Sequence, residues 1–264
     1  MVELFLKNKK MVRELKVEQL FVKVYENRQL MGLEAAKQVA IYIKEQLNIY
    51  EHLNIVFAAA PSQNDFLTEL CKITGIEWNR INAFHMDEYI GLSDDAPQGF
   101  GNFLKEIIFS KLPFRSVNYL KDTVGNPELS CEMYAHILQD NPIDIVLMGI
   151  GENGHIAFND PHVAIFNDPK MVKIVDLDHA CRVQQVNDGC FTSIDLVPTH
   201  ALTLTIPALF KAKRFFCVAP TELKSNAINA AVFGPITELC PASILRHHSA
   251  EVLLFTDIDG ASKI

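Results

Sequence analysis

No cysteine pair in this sequence has the C-x-x-C spacing of a zinc site or a dithiol redox motif. The six cysteines, at 71, 131, 181, 190, 217 and 240, are scattered, several of them inside apolar patterns. They read as buried free thiols of a reducing compartment, so a cytoplasmic protein is expected. Apolar runs approaching the roughly 18 residues of a membrane span are missing too. The start, with Lys7, Lys9 and Lys10 among few apolar residues, does not have the pattern of a signal peptide. Basic charge is scarce: 24 Lys and Arg face 32 Asp and Glu, a formal net charge of -8. That balance argues against nucleic acid or an anionic membrane as partner. An anionic small molecule would have to be held by local donors, against the overall field. There is no internal repeat and no low-complexity linker, and 264 residues suffice for one large α/β domain or two small ones.

What is present is organised around residues 143–161. Ile143-Asp144-Ile145-Val146-Leu147-Met148 is a nearly continuous apolar run of strand length, the pattern of a strand buried on both faces. Gly149, Gly151 and Gly154 follow and turn the chain out of the sheet. They satisfy G-x-G-x-x-G, and Asp176 lies where a dinucleotide fingerprint wants an acid. That reading is set aside, because Pro161 and Pro169 leave no room for the long helix the fingerprint requires.

Elsewhere strand and helix patterns alternate. Leu20, Val24, Met31, Ala35, Val39, Ile43 and Leu47 recur at helical spacing and predict one long or broken helix over 17–50, with Gly32 as the point of interruption. Strands are expected at 53–60, 81–88, 117–121, 143–150, 170–177, 200–206, 215–219 and 251–256. Helices are expected at 63–74 (with Ser62 as N-cap), 100–112, 127–140, 222–233 and 243–248. Residues 181–198 read as irregular. The alternation implies a three-layer α/β/α, Rossmann-like, open and mostly parallel sheet. A single domain over 1–264 is expected, with 1–16 as an N-terminal extension.

Three polar clusters fall at the carboxyl ends of strands: 58–63, His85-Met86-Asp87-Glu88-Tyr89, and Asn153 to Asp160. Ligands of open α/β sheets bind there, so the three are expected to be neighbours. Asp87 is a candidate general base and His155 an acid/base that titrates near neutrality. Asn153 or Asp160 would orient the imidazole.

The stretches Phe84-His85-Met86-Asp87-Glu88-Tyr89-Ile90-Gly91-Leu92 and Gly149 to Pro161, with G-H-I-A-F-N inside the second, resemble the two signatures of the glucosamine-6-phosphate deaminase/isomerase family. The resemblance extends from about residue 30 to 257. The related 6-phosphogluconolactonases share the fold and the G-H but not the M-D-E-Y strand end. The resemblance implies an enzyme that converts an amino-sugar phosphate to a ketose phosphate and ammonia, without cofactor or metal. Asp87 stands at the position of the base that moves a proton between C2 and C1. His155 stands at that of the ring-opening acid/base, supported from the positions of Asn153 and Asp160. Lys224, which opens a predicted helix, matches a phosphate-binding lysine, and a helix start suits an anion.

There are departures from the family's pattern. The usual T-G-G-[ST]-P phosphate loop is here Ala58-Ala59-Ala60-Pro61-Ser62-Gln63, leaving Ser62 and Gln63 as donors. The family's phosphate arginine falls near Asp188-Gly189; Arg182 is the nearest replacement. The ring-opening glutamate is the shorter Asp160, and Asn153 replaces a common aspartate. Residues 162–173 lack the basic, serine-rich character of allosterically activated members. The expected ligand is a small-molecule sugar phosphate, most simply glucosamine-6-phosphate. Other readings are an isomerase or deaminase of another sugar phosphate, a 6-phosphogluconolactonase-like hydrolase, and a sugar-phosphate sensor without turnover. Retention of Asp87 with His155 favours an enzyme. Nothing in the sequence chooses between a monomer and a homo-oligomer.

Overall fold

A computed structural model describes residues 11–121 and 125–264. In chain order the elements are β1 (Met11–Val17), β2 (Leu20–Tyr25), α1 (Arg28–Leu47), β3 (Leu53–Phe57), α2 (Asn64–Lys72), β4 (Ile81–His85), β5 (Asp87–Tyr89), α3 (Phe100–Leu104), β6 (Ser116–Asn118), α4 (Pro127–Asp140), β7 (Ile145–Met148), β8 (Val172–Asp176), α5 (His179–Asn187), β9 (His200–Leu204), α6 (Ile206–Leu209), β10 (Arg214–Val218), α7 (Ser225–Phe233) and β11 (Val252–Asp257). Eight strands form one sheet in the order β1-β2-β11-β10-β7-β3-β4-β6, parallel from β2 onward. A smaller antiparallel sheet has the order β5-β9-β8.

The sheet is covered on both faces because its central strands β3, β4, β7, β10 and β11 are apolar on both. Ile145 and Leu147 belong to a core with Met31, Val39 and Ile43 of α1 and Phe66 and Leu70 of α2. Val146 and Met148 belong to a second core with Tyr134 and Leu138 of α4 and Ile228 and Val232 of α7. Phe215 and Phe216 divide between the two cores in the same way. This is the expected three-layer, Rossmann-like arrangement with a mostly parallel sheet.

Several local expectations are corrected. Residues 17–27 are not helical: β1 and β2 form an antiparallel ribbon at the sheet edge. Leu20 and Val24 fit a helix's spacing of four, but Leu20, Val22 and Val24 also alternate, and all three are buried against β11. The helix starts at Arg28 behind the cap of Asn27, whose side chain accepts from the Leu30 N–H. Gly32 does not interrupt it; a Cβ there would stand 2.8 Å from Asp65 Cβ, so the glycine lets α1 and α2 approach. Residues 1–10 of the expected N-terminal extension lie outside the described residues, and 11–17 are the edge strand β1. Ser62 does not cap α2; it lies in a short 3-10 turn, Pro61–Gln63. The stretch thought irregular contains α5, capped by the Asp178 carboxylate accepting from the Cys181 N–H at 2.6 Å. The strand expected over 81–88 divides at Met86, so that β4 lies in the large sheet and β5 in the small one.

At the amino-terminal rim of the sheet a chain of polar side chains crosses three strands, β3, β4 and β6. Asn54 donates to the Pro142 carbonyl, Asn82 to Asn54, Ser116 to Asn82, and Asn118 to Ser116. Asp144 accepts from the Asn54 N–H and pairs with Lys213 at 2.9 Å. The opposite, carboxyl-terminal rim is left to the site.

Candidate active site

Four strand ends converge on one narrow cavity of about 50 Å3. After β3 come Ala58, Ala59, Ala60, Ser62 and Gln63; between β4 and β5, Met86 and Asp87; after β7, Gly149, Gly151, His155 and Phe158; after β10, Lys224. The three polar clusters are therefore neighbours, as the strand-end rule requires. Across shared walls at Ala59, Ala60 and Phe100 lies a second cavity of about 300 Å3.

Asp87 opens β5 and pairs across the ladder with Thr203. Only 6% of it is exposed. Burial, and then the neighbouring Glu88 charge, push its carboxyl well above the usual range. Its two flanking acidic and imidazole neighbours are structural. Glu88 accepts from the N–H groups of Tyr89 (2.9 Å), Phe100 (2.9 Å) and Gly101 (2.8 Å), fixing the start of α3 to β5. His85 is fully buried. Its Nε2 accepts from the Leu120 N–H at 2.8 Å, so its proton sits on Nδ1, which donates to the Asp87 carbonyl at 3.0 Å. Burial holds its pKa down to about 4, a neutral ring at working pH.

His155 follows the glycine turn. Its Nδ1 lies 2.8 Å from Asn153 Oδ1 and 3.0 Å from Asp160 Oδ1, both acceptors, so Nδ1 carries the proton and Nε2 is the exchangeable position. The ring lies on Gly151: a Cβ there would meet three of its atoms at 2.2–2.3 Å. Asn153 is the hub of the arrangement. Its Oδ1 also accepts from the His155 N–H, while its Nδ2 donates to Asp160 at 2.9 Å and Asp178 at 3.1 Å. Asp160 is fully buried. Burial pushes its carboxyl up, but hydrogen bonding and charge from His155 and donation by Asn153 and the Asp178 N–H hold it below the usual range. As an ionised acceptor Asp160 fixes the Nδ1–H of His155.

Lys224 is 4% exposed, and burial lowers the pKa of its ammonium, which Asp188 and Glu152 partly offset. Gln63 donates its amide to the Val218 carbonyl (3.0 Å) and Ser62 Oγ (3.1 Å), which leaves the Ser62 hydroxyl proton to donate elsewhere. Arg182 is not among the residues lining the cavity. Its Nη2 donates to the carbonyls of Ile194 and Val197, at 2.7 and 3.0 Å, and braces the loop after α5.

Two buried glutamines that sequence reasoning missed line the cavity, Gln184 and Gln185 on α5. Gln184 accepts from the Glu152 N–H at 2.8 Å. With Cys181 they form one buried face at spacings of three and four, the signal that was there to be read. Cys181 is also new to the site: its thiol lies beside Asp160, and burial and the charges of Asp160 and Asp178 push it well above its ordinary pKa. His155, Asp160 and Cys181 bring ligand atoms within 4.8 Å of one another, as do Asp160, His162 and Asp178. The first set is a poor match for a soft metal, since a thiol beside two carboxylates resists the deprotonation that ligation needs.

A buried carboxylate and an anchored imidazole, brought by separate strand ends to the carboxyl rim of a Rossmann-like sheet, define the class: α/β enzymes that move protons on a small substrate. The model of the glucosamine-6-phosphate isomerase/6-phosphogluconolactonase family matches residues 26–254, and the chain belongs to that family. A glucosamine-6-phosphate deaminase of Streptococcus pneumoniae is 32% identical over 235 residues, 89% of this chain and 95% of the relative. A monomeric glucosamine-6-phosphate deaminase of known structure superposes with a TM-score of 0.83 at 26% identity, over 92% of this chain and 99% of that one. A 6-phosphogluconolactonase from Shewanella baltica shares the fold, with a TM-score of 0.75 at 15% identity, over 93% of this chain and 100% of that one.

Proposed function

We propose that the protein converts glucosamine-6-phosphate and water to fructose-6-phosphate and ammonia. His155 Nε2 takes the proton of the C1 hydroxyl and returns it to the ring oxygen, opening the sugar. Asp87 then removes the C2 proton, which the newly exposed C1 carbonyl acidifies, and forms an enolamine. Return of that proton to C1 gives a C2 imine, which water hydrolyses to the ketose and ammonia. Lys224 and the Ser62 hydroxyl hold the phosphate, with Gln63 orienting Ser62 and Asn153 and Asp160 orienting His155. Arg182, engaged with two carbonyls, acts on the loop rather than on the phosphate.

The observation that carries this reading is the pairing of two differently tuned groups in one cavity. Asp87 is desolvated, as a base strong enough for a carbon acid must be, while His155 is held in one tautomer. Hydrolysis of a lactone has no use for a second, desolvated base at Asp87. The test is ammonia release from glucosamine-6-phosphate, with fructose-6-phosphate followed by a coupled reporter. Turnover that disappears in Asp87→Asn while substrate still binds supports the assignment; full activity in that variant sinks it.

A further inference from the structure

We infer that Gln185 determines which sugar the cavity accepts: its side-chain amide takes the C3 and C4 hydroxyls of the substrate, donating to one and accepting from the other. The inference deepens the proposed function and rests on it for the identity of the sugar.

Three buried glutamines line the cavity, Gln63, Gln184 and Gln185. Two are already engaged by the fold. Gln63 donates to the Val218 carbonyl and to Ser62; Gln184 accepts from the Glu152 N–H and donates to Asp188 at 3.3 Å. Gln185 is different. It is 5% exposed, yet among the described residues its side-chain amide has no hydrogen-bond partner. Its Oε1 and Nε2 are not sealed in the core either, so the cavity is the space they serve. A carboxamide taken out of bulk water without a partner costs free energy, and a ligand with matching groups removes that cost. The amide is also held in place by its element. The Gln185 carbonyl accepts from the Cys190 N–H at 3.0 Å, Asp178 caps the start of α5, and Arg182 braces the loop after it. One helical turn before Gln185 is Cys181, beside Asp160.

In the proposed reaction the other groups of the sugar have partners. The C1 hydroxyl and the ring oxygen belong to His155, C2 to Asp87, and the ester at C6 to Lys224 and Ser62. The C3 and C4 hydroxyls remain. Each hydroxyl both donates and accepts, and a carboxamide has one donor end and one acceptor end, so a neighbouring pair of hydroxyls satisfies it whole. A phosphate oxygen accepts only, and would leave Oε1 of Gln185 unpaired.

The test compares glucosamine-6-phosphate with its 3-deoxy and 4-deoxy analogues on the parent protein, Gln185→Leu and Gln185→Asn, by kcat/KM for ammonia release and by calorimetric Kd. The parent is expected to lose about 10- to 100-fold on each analogue. Gln185→Leu, which fills the space without a polar group, loses as much on the natural sugar and no longer distinguishes the three. Gln185→Asn, which keeps the amide but withdraws it by one methylene, loses the discrimination in the same way. In urea without sugar Gln185→Leu unfolds no earlier than the parent, because the amide has no partner in the fold to lose. A parent that treats the three sugars alike overturns the inference, as does a variant that is weaker on all three while keeping their ratios. A Gln185→Leu protein that fails to fold or unfolds at lower urea also overturns it, since the amide would then be structural. Ammonia release without discrimination leaves the function standing. Binding constants in the expected ratios, with no ammonia from any of the sugars, remove the function and keep the inference.

Discussion

At the scale of single residues two carboxyls of the site are shifted in opposite directions, Asp87 up and Asp160 down. As the proposed base, Asp87 acts only when ionised, and burial raises its pKa. Activity should therefore rise with pH on a limb displaced well above that of an ordinary aspartate. A kcat/KM profile with its acid limb near 4 would remove Asp87 as the base. The same burial works against stability: a carboxyl with a raised folded pKa destabilises the fold once pH exceeds that value. Asp87→Asn is expected to be inactive and yet to unfold at higher urea than the parent at pH 8. Gly151 is constrained by His155 rather than by its own backbone, since an added methyl would overlap the imidazole. Gly151→Ala should lower kcat about 100-fold by displacing the ring, with far-UV circular dichroism unchanged. Asp87 and His155 were legible because charge at the end of an apolar strand is a conspicuous pattern. The fate of Arg182 was not, because a sequence does not record which way a guanidinium turns, and two carbonyls of the loop after α5 claim it.

At the scale of elements, the junction between β5 and α3 is made by one carboxylate. Glu88 accepts three backbone N–H bonds, two of them from the first residues of α3. Glu88→Ala should cost about 3 kcal/mol in urea unfolding, since it leaves buried N–H donors without a partner. A loss within 0.5 kcal/mol would show that water replaces the carboxylate. The central strands β3, β4, β7, β10 and β11 were legible because they are apolar on both faces. The small sheet was not, since no local feature tells whether β8 and β9 extend the parallel sheet or leave it. Likewise 17–25 carries two periodicities at once, and only contact with β11 decides between them. Helix α5 was obscured by its glutamines, which look like loop residues until their shared buried face is seen.

At the scale of the molecule, the two rims of the sheet are specialised. The amino-terminal rim is tied by the Asn54, Asn82, Ser116 and Asn118 chain and by Asp144. The carboxyl rim keeps its polar groups for the cavity. His85, buried at the carboxyl end of β4, makes the fold acid-sensitive. Its pKa of about 4 lies below the ordinary 6.5, so between those values the unfolded chain binds more protons. Stability is full above pH 6.5 and is lost as pH falls toward 4, by about 3 kcal/mol. A His85→Asn variant should show a shallower fall over this window in urea titrations, whatever its stability at pH 7. An identical slope would mean that the ring is already solvated. The division of one strand at Met86 has a mechanical consequence. Residues 81–89 are a single stiff lever clamped in two sheets, and the proposed base is located at the seam. No flexible loop separates Asp87 from either clamp, so it cannot drift independently of the angle between them. Substitutions in β8, remote from the cavity, would then alter turnover before they alter binding, because they tilt the lever without touching the sugar.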